Sequence, residues 1–599
     1  MKLKPLYDII DYLGIFQKYL GVRMYIVYLL GVIASVFEGL GILMLLPLLE
    51  SLDGNNTSQA PHFINDIILN VLSFLGFSQS ISSILILISL AFVFKGIITF
   101  SALAYRANLI GELLKEIKQN LYALYSLMDF RYYTSKNTGD FINLINEQPT
   151  RAIQAFLQLT ILGSQLINTF ILMCLAFTMT FSFGMMSLLV GVLLLLLFLR
   201  MNSYVQNLSR ITAKENGILT KWLIQFLHGF KYLSSTNQIK KLNKNILKSI
   251  SVLTNNQIKS GIAGAFTQSV REPLAVVLIM IIVYVQLVIL ELQLEPILVS
   301  IALFYRALNS TLAVQSAFQA TFDTIGSMEL VDQEFENQKK NQIKSGKKVF
   351  KKFKSEIQLQ NITFKYNTES NIVLDSIDIQ IPYKKSIAIV GKSGSGKTTI
   401  VDLILSIIKP QKGKILIDKQ PIENIDINSW RDQIGYVSQD NIIFDDTIAN
   451  NISMWQDTEN EDYTKNIIDV LKKANILEFI DSLPDGINTK IGDRGVMLSG
   501  GQKQRIFIAR ELYRNPSVLI LDEATSSLDS ESENRIQDSI NNLQGHITLI
   551  IIAHRLSTIK NVNQIYLIDK GKVIESGTFH DLKSNTKSKF KELTEIQNL

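Results

Sequence analysis

At 599 residues, with 47% hydrophobic and only 19% charged side chains, the chain is too apolar for an ordinary soluble enzyme and long enough for several domains. A net charge of +6 is too thin for a nucleic-acid groove and fits the positive loops of a membrane protein. The single cysteine, Cys174, lies in an apolar run, which excludes a disulfide framework and a cysteine metal site.

The first stretch alternates charged and apolar residues, so no cleavable signal peptide is expected. Six long apolar segments follow, with cores near Met24–Leu49, Ile81–Tyr105, Ala155–Phe181, Met185–Met201, Pro273–Leu290 and Pro296–Val314. Segments of about 20 residues match a hydrocarbon core about 30 Å thick. The fourth is short, but Ser203 to Leu208 can extend it. Lys2, Lys4, Lys18 and Arg23 precede the first span, whereas Glu50 to Ser80 carries no Lys or Arg. Basic stretches, Arg106 to Lys136 and Arg210 to Lys259, follow the second and fourth spans. Since positive loops stay inside, the N-terminus is cytoplasmic and the spans alternate across the membrane; the abundance of Lys, Ile and Asn suggests a bacterium, and so its cytoplasmic (inner) membrane.

Both basic connections read as helices, each interrupted once, at Phe130 to Gly139 and at Phe226 to Ser235. This predicts helices running far out of the bilayer with short crosswise helices at their tips. Between the first two spans, His62 to Phe77 places Phe63, Ile67, Val71 and Phe74 largely on one face. That predicts an amphipathic helix on the outer leaflet or against the spans. A lysine-rich run, Lys339 to Lys354, reads as a solvated tether able to touch anionic lipid. The expected division is a membrane domain over 1–335, a basic linker over 336–355 and a nucleotide domain over 356–599.

From Ser355 short strands alternate with helices, the mark of an α/β domain; they include Ile357 to Tyr366, Lys414 to Ile417, Val518 to Asp522 and Thr548 to Ala553. At its centre, Gly391-Lys392-Ser393-Gly394-Ser395-Gly396-Lys397-Thr398 joins the strand Ser386 to Val390 to a helix over Thr399 to Ile408. That is a phosphate-binding loop in its required context. Gly391, Gly394 and Gly396 let the backbone around Ser393 curl until its N–H groups meet a phosphate chain at a helix N-terminus. Lys397 would reach the β- and γ-phosphates of ATP, and the Thr398 hydroxyl would ligate Mg²⁺.

Further signals follow in a fixed order. Tyr366 can stack on adenine, and Gln439 can ligate Mg²⁺ and touch the attacking water. Gly492 to Gly495 forms a charged turn. Leu498-Ser499-Gly500-Gly501-Gln502 opens a helix as a second phosphate cradle. Asp522 ends an apolar strand, placed to hold Mg²⁺ through water, with Glu523 next to it as base for the lytic water. Ser526 to Asp529 is a polar turn, and His554 follows a strand within reach of the γ-phosphate.

On these residues the domain resembles the nucleotide-binding domain of ABC transporters, with Leu498 to Gln502 as the family signature. The whole chain resembles an exporter-type half-transporter: an all-α six-helix membrane domain followed by an α/β P-loop ATPase. The resemblance implies a homodimer that hydrolyses ATP to drive transport. Gly391 to Thr399 of one copy would be capped by Ser499, Gly501 and Gln502 of the other. Lys397, Gln439, Glu523 and His554 would be the catalytic residues. The crosswise helices near Tyr132 to Asn137 and Gly229 to Ser235 would dock around Gln439 to Thr447. Asp493 departs from the pattern, in which Glu is commoner.

The clue to cargo is charge inside the membrane. Counted from the outer span ends at about 1.5 Å per residue, Arg306 lies roughly 18 Å deep, Lys95 roughly 22 Å and Arg271 roughly 28 Å. Such charges face a cavity or a partner; the alternatives are a basic ring for an anionic headgroup, pairing with Glu38 or Glu272, or snorkelling to the interface. Val36-Phe37-Glu38-Gly39 to Pro47, Val93-Phe94-Lys95 and Phe304-Tyr305-Arg306-Ala307 resemble the lipid-linked oligosaccharide flippases of bacterial N-glycosylation. That likeness implies a polyprenyl-pyrophosphate glycan as cargo, with Lys95, Arg271 and Arg306 as its contacts. The alternatives are export of a small peptide or secondary metabolite, or of drugs. The six spans exclude a soluble protein of this family acting on nucleic acid.

Overall fold

The computed structural model describes residues 12–15, 17–45, 48, 80–179, 181–285, 288, 294–366, 371–440, 442–456, 462–492, 495, 497–522, 530–553, 555–585 and 587–596. It divides into two compact units, Met1–Gln342 and Ile343–Leu599.

Among the described residues the first unit is built of helices, chiefly α1 (Arg23–Leu43), α2 (Ile81–Ser126), α3 (Phe130–Ser135), α4 (Thr138–Met179), α5 (Phe181–His228), α6 (Phe230–Ser235), α7 (Ile239–Tyr284) and α8 (Leu294–Lys340). Five of these run 42 to 48 residues. At 1.5 Å per residue that is about 65–70 Å, twice the bilayer's apolar thickness. Among the described residues three helices are long and apolar enough to cross a membrane: Arg23–Leu43, Ile81–Ser126 and Thr138–Leu175. The predicted fourth span lies within α5, the fifth largely within α7 and the sixth within α8. The short crosswise helices are α3 and α6. The predicted outer helix at 62–77 lies outside the described residues.

Helix α2 shows how one helix serves two solvents. Over its apolar N-terminal half, Val93, Phe94, Ile97 and Phe100 point out of the chain, as lipid-facing side chains do. Beyond Arg106 the pattern inverts. Leu109, Leu113, Ile117 and Leu121, four residues apart, are at most 1% exposed. They form one stripe packed with Ile153 and Phe156 of α4 and Phe318, Phe322 and Ile325 of α8. The lipid-facing half buries little, and the half beyond Arg106 is an ordinary water-driven core.

One buried carboxylate ties α3 to the end of α8. Glu334, 2% exposed, accepts hydrogen bonds from the Tyr132 hydroxyl at 2.9 Å, from Gln338 Nε2 at 3.0 Å and from the Lys136 ammonium. That ammonium also lies 4.9 Å from the Tyr132 ring centroid. Burial pushes the Glu334 pKa up, but the bonds from Lys136, Gln338 and Tyr132 outweigh it and hold the carboxyl below its ordinary range. The Asp129 N–H donates to Asn341 O at 2.9 Å, closing the same corner. The crosswise helix and the end of α8 therefore behave as one body.

The second unit holds two sheets. One is antiparallel, in the order β2 (Leu374–Pro382), β1 (Glu356–Phe364), β4 (Lys412–Ile417), β5 (Gln420–Pro421). The other runs β10 (Lys572–Gly577), β9 (Gln564–Asp569), β3 (Ser386–Gly391), β8 (Thr548–Ala553), β7 (Val518–Asp522), β6 (Ile434–Val437). It is parallel except where β10 meets β9. The central strands are unbroken apolar runs because both faces are covered. Ile387, Ile389, Ile520 and Ile550 enter the core shared with the antiparallel sheet. Their neighbours Ala388, Val390, Leu519 and Leu549 enter the opposite core. The helix after the loop, α9 (Lys397–Ile404), stops earlier than its apolar pattern predicts, since Ser406 adopts a left-handed φ of 53°.

Removing the Glu334 carboxylate strands the Lys136 ammonium and two neutral donors. Charged hydrogen bonds contribute about 1.5–3 kcal/mol each. Glu334→Ala should therefore lower the melting temperature of the purified protein by several degrees, whereas Glu336→Ala, a surface change, should leave it in place; differential scanning fluorimetry in detergent checks both.

Candidate functional site

Parallel pairing gathers the expected chemistry at one edge of the six-stranded sheet. In register, Val390 of β3 pairs with Ala553 of β8, Ile552 of β8 with Asp522 of β7, and Leu521 of β7 with Val437 of β6. All four strands thus end together, where open parallel sheets bind ligands. The loop Gly391 to Thr398 leaves β3 there, and Gln439 stands two residues beyond β6. Glu523 and His554 each directly follow one of these strand ends and lie outside the described residues, as does Asp493.

The loop has the conformation a phosphate cradle needs. Gly394 and Gly396 take φ of 76° and 105°, backbone that disfavours any side chain. A Cβ at Gly391 would sit 2.2 Å from Ile568 O. Helix α9 begins on Gly396 with no side-chain cap, so its first-turn N–H groups are left for a ligand. The Lys397 side chain, buried on the loop, donates to the carbonyls of Gly391 at 3.0 Å and Lys392 at 3.1 Å. The Ser395 hydroxyl is buried there without a hydrogen-bond partner. An uncapped helix end, an ammonium and an orphaned hydroxyl are what a polyphosphate satisfies.

Around the loop, Tyr366 is half exposed; its hydroxyl lies 3.1 Å from Thr399 Oγ1 and its ring stands edge-on to Phe364 at 5.0 Å. Thr398 is exposed and Thr399 buried. Ser393 and Gly394 are exposed on the loop crest. Asp522 is 4% exposed and accepts from the Tyr436 hydroxyl at 3.4 Å. Burial and Asp522 raise the Tyr436 pKa, so that hydroxyl stays a donor. Thr398, Gln439 and Asp522 offer hydroxyl, amide and carboxylate oxygens, a hard donor set suited to Mg²⁺. These residues would hold Mg²⁺, which would supply charge neutralisation for the γ-phosphoryl group.

The signature stretch caps its own helix. In α10 (Gly500–Tyr513) the Ser499 hydroxyl accepts from Gln502 N–H at 3.3 Å, and Gln502 Oε1 accepts from Ser499 N–H at 2.8 Å. Gly501 is buried in that first turn. From the same helix, Arg510 donates to Asn451 O at 2.6 Å and Ile442 O at 2.7 Å and lies over the Phe444 ring. It fixes the segment that follows Gln439, a role its sequence context did not signal.

In the helical unit the structure brings two of the three intramembrane cations together. Glu38 on α1, 6% exposed, is bonded to Lys95 of α2 at 2.8 Å and to Arg306 of α8 at 3.2 Å. Of Arg271 only the helical backbone is described.

The family model described as ABC transporter matches residues 374–526. The chain is 33% identical to the heterocyst differentiation ATP-binding protein HepA of a Nostoc species, over 82% of this chain and 79% of the relative. It is 31% identical to the ATP-dependent lipid A-core flippase of Photobacterium profundum, over 79% of this chain and 81% of the relative. Some other flippase matches cover only 39 to 40% of the relative's length. A bacterial Atm1-family ABC exporter solved with ATP bound shares the fold at a TM-score of 0.77 and 20% identity, covering 97% of this chain and 99% of that one.

One carboxyl beside the site makes a pH test. Burial, with the Asp522 charge adding to it, lifts Asp402 on α9 to about 6. A folded-state pKa above the unfolded one means that stability from this group is present below about pH 4 and is lost as pH rises through 6. In nucleotide-free protein, Asp402→Asn should be more stable than the native chain above pH 6, by about 1–2 kcal/mol after solvent screening. The gap should close towards pH 4, as read by thermal melts across that range.

Proposed function

The chain belongs to the ABC transporter family as an exporter-type half-transporter, and from that premise we propose that it flips an anionic lipid-linked substrate, such as a polyprenyl-pyrophosphate oligosaccharide, from the inner to the outer leaflet. Membrane-domain helices and an ATPase domain in one chain couple ATP hydrolysis to transport across a membrane. The observation that carries the cargo reading is the meeting of Lys95 and Arg306 on the single carboxylate of Glu38. Among the described residues, two cations against one anion leave a net positive charge inside the apolar layer, where an unpaired charge is expensive. A diphosphate group supplies the missing anion. The name of the Photobacterium relative, a lipid A-core flippase, supports a lipid cargo.

In the same reading the protein works as a homodimer in a bacterial inner membrane. The loop Gly391 to Thr399 of one copy and the Ser499 to Gln502 turn of the other close on one ATP. Lys397 and the first-turn N–H groups of α9 hold the phosphates. Thr398, Gln439 and Asp522 hold Mg²⁺, Glu523 takes the proton of the attacking water, and His554 orients the γ-phosphate. Closure is favoured by ATP because the clamp is complete only in the closed pair, and hydrolysis releases it.

Two measurements test this. Glu523→Gln removes the base, a contribution of about 10²–10⁴ in rate, and should retain ATP with turnover cut by at least ~100-fold; near-native steady-state hydrolysis would refute the assignment. For the cargo, ATPase in lipid discs is titrated with polyprenyl pyrophosphate. Glu38→Gln frees both cations and should lower the half-stimulating concentration. The triple change Glu38→Gln, Lys95→Gln, Arg306→Gln strands no charge and should abolish stimulation. If neither variant shifts the titration, the charge cluster does not read the lipid anion.

A further inference from the structure

A cavity of about 920 Å³ opens between α4, α5, α7 and α8, at the upper end of the range for ligand pockets. On α8 it is lined by Ser316 to Asp323. It therefore begins about 15 Å along the helix from Arg306, toward the cytoplasmic end. Its chemistry differs from that of the charge cluster. Glu147 and Asp323 outnumber Arg151, so the lining is not built for an anion. Amides and hydroxyls dominate it, and no lining residue is aromatic.

Several of those groups are held in place. The Thr267 hydroxyl donates to Gln319 Oε1 at 2.6 Å, and Asn216 Nδ2 donates to Glu147 at 2.7 Å. The Ser260 hydroxyl binds Asp323. Asn256 also lines the cavity, although its Nδ2 is turned away from it with no accessible surface. The α7 wall is also kept open. A Cβ at Gly261 or Gly264 would meet nothing within 4 Å, and glycine inside a helix is otherwise unfavourable.

We propose that this cavity binds the sugar part of the cargo, a neutral polyhydroxylated headgroup, through the amides and hydroxyls of its lining. Sugar hydroxyls both donate and accept, as amides and hydroxyls do, so a lining rich in both can satisfy them without charge. The separation from Arg306 then suits a lipid whose diphosphate stays in the apolar layer while its glycan extends toward the cytoplasm. What delivers the sugar rests on the lipid-flipping reading; the cavity's affinity for it does not.

The test uses the full chain in lipid discs and two sets of probes. Free chitotetraose is titrated calorimetrically into the native chain, Gly264→Phe (which fills the cavity), Asn256→Leu (which keeps its shape) and Ile262→Phe on an exposed, non-lining position. Saccharide binding should weaken at least ~10-fold in the first two variants and stay native in the third. No binding to the native chain, binding equal in all four, or binding of a neutral Gly-Ser-Gly-Ser amide peptide in its place overturns the proposal. In parallel, ATPase is titrated with polyprenyl pyrophosphate bearing chitobiose and with the bare lipid. Gly264→Phe and Asn256→Leu should raise the half-stimulating concentration of the glycosylated lipid alone; an equal shift for both lipids counts against the cavity. If neither lipid stimulates the native chain while chitotetraose still binds in the cavity, lipid flipping falls and the sugar site stands.

Discussion

Inside hydrocarbon a backbone must satisfy its own hydrogen bonds, and a continuous helix is the simplest way to do so. This chain extends that solution well beyond the bilayer. Helices of 42 to 48 residues keep going after the apolar layer ends, so a displacement at one end is carried to the other along a continuous helix, interrupted in its hydrogen-bond ladder only at Pro149 of α4 and Pro273 of α7. The price is that one helix must suit two solvents, and α2 meets it by inverting its apolar face near Arg106. The Glu334 network then matters as a joint. It locks a six-residue helix, too short to hold itself, to the end of α8 through a charge that burial alone disfavours.

The intramembrane charges follow a related logic. A lone Lys or Arg at that depth would snorkel or line water. Glu38 instead collects one cation from α2 and another from α8, joining three helices at one point. Among the described residues the pairing is incomplete by one charge. A matched pair would be a structural bolt; an unmatched trio binds the helices and still attracts an anion. The depths counted from the span ends, roughly 18 Å and 22 Å, had already put Arg306 and Lys95 within reach of a common partner.

Legibility tracked periodicity. Strands β3, β7 and β8 were readable to within a residue because a strand covered on both faces is an unbroken apolar run with a polar end. The phosphate loop and signature turn were readable because their chemistry is local, with fixed residues at fixed spacing. The early stop of α9 was not, since it rests on a left-handed Ser406 that no apolar pattern announces. Glu38 stood as one candidate partner among others, and only the packing of α1 against α2 and α8 chooses it. Glu334, Arg510 and Asn256 were invisible for a common reason. Each is a polar residue on a helix, where solvent exposure is the ordinary expectation, and its burial depends on elements far away in the chain.

Two helix N-termini of the ATPase unit, those of α9 and α10, differ in a way that bears on how a shared nucleotide can be let go. At Gly396 no side chain caps α9, so its donors bind a phosphate chain without first breaking an internal bond. At Ser499 the cap is complete: Gln502 N–H is already taken by the serine hydroxyl, and the glutamine side chain is folded back. Contact there displaces an existing bond or uses what remains, and the net gain is smaller. A clamp with one hungry jaw and one satisfied jaw holds nucleotide firmly on the loop and only conditionally on the opposing turn. In the proposed dimer that asymmetry lets loss of the γ-phosphate open the seam while the nucleotide stays seated on its own chain.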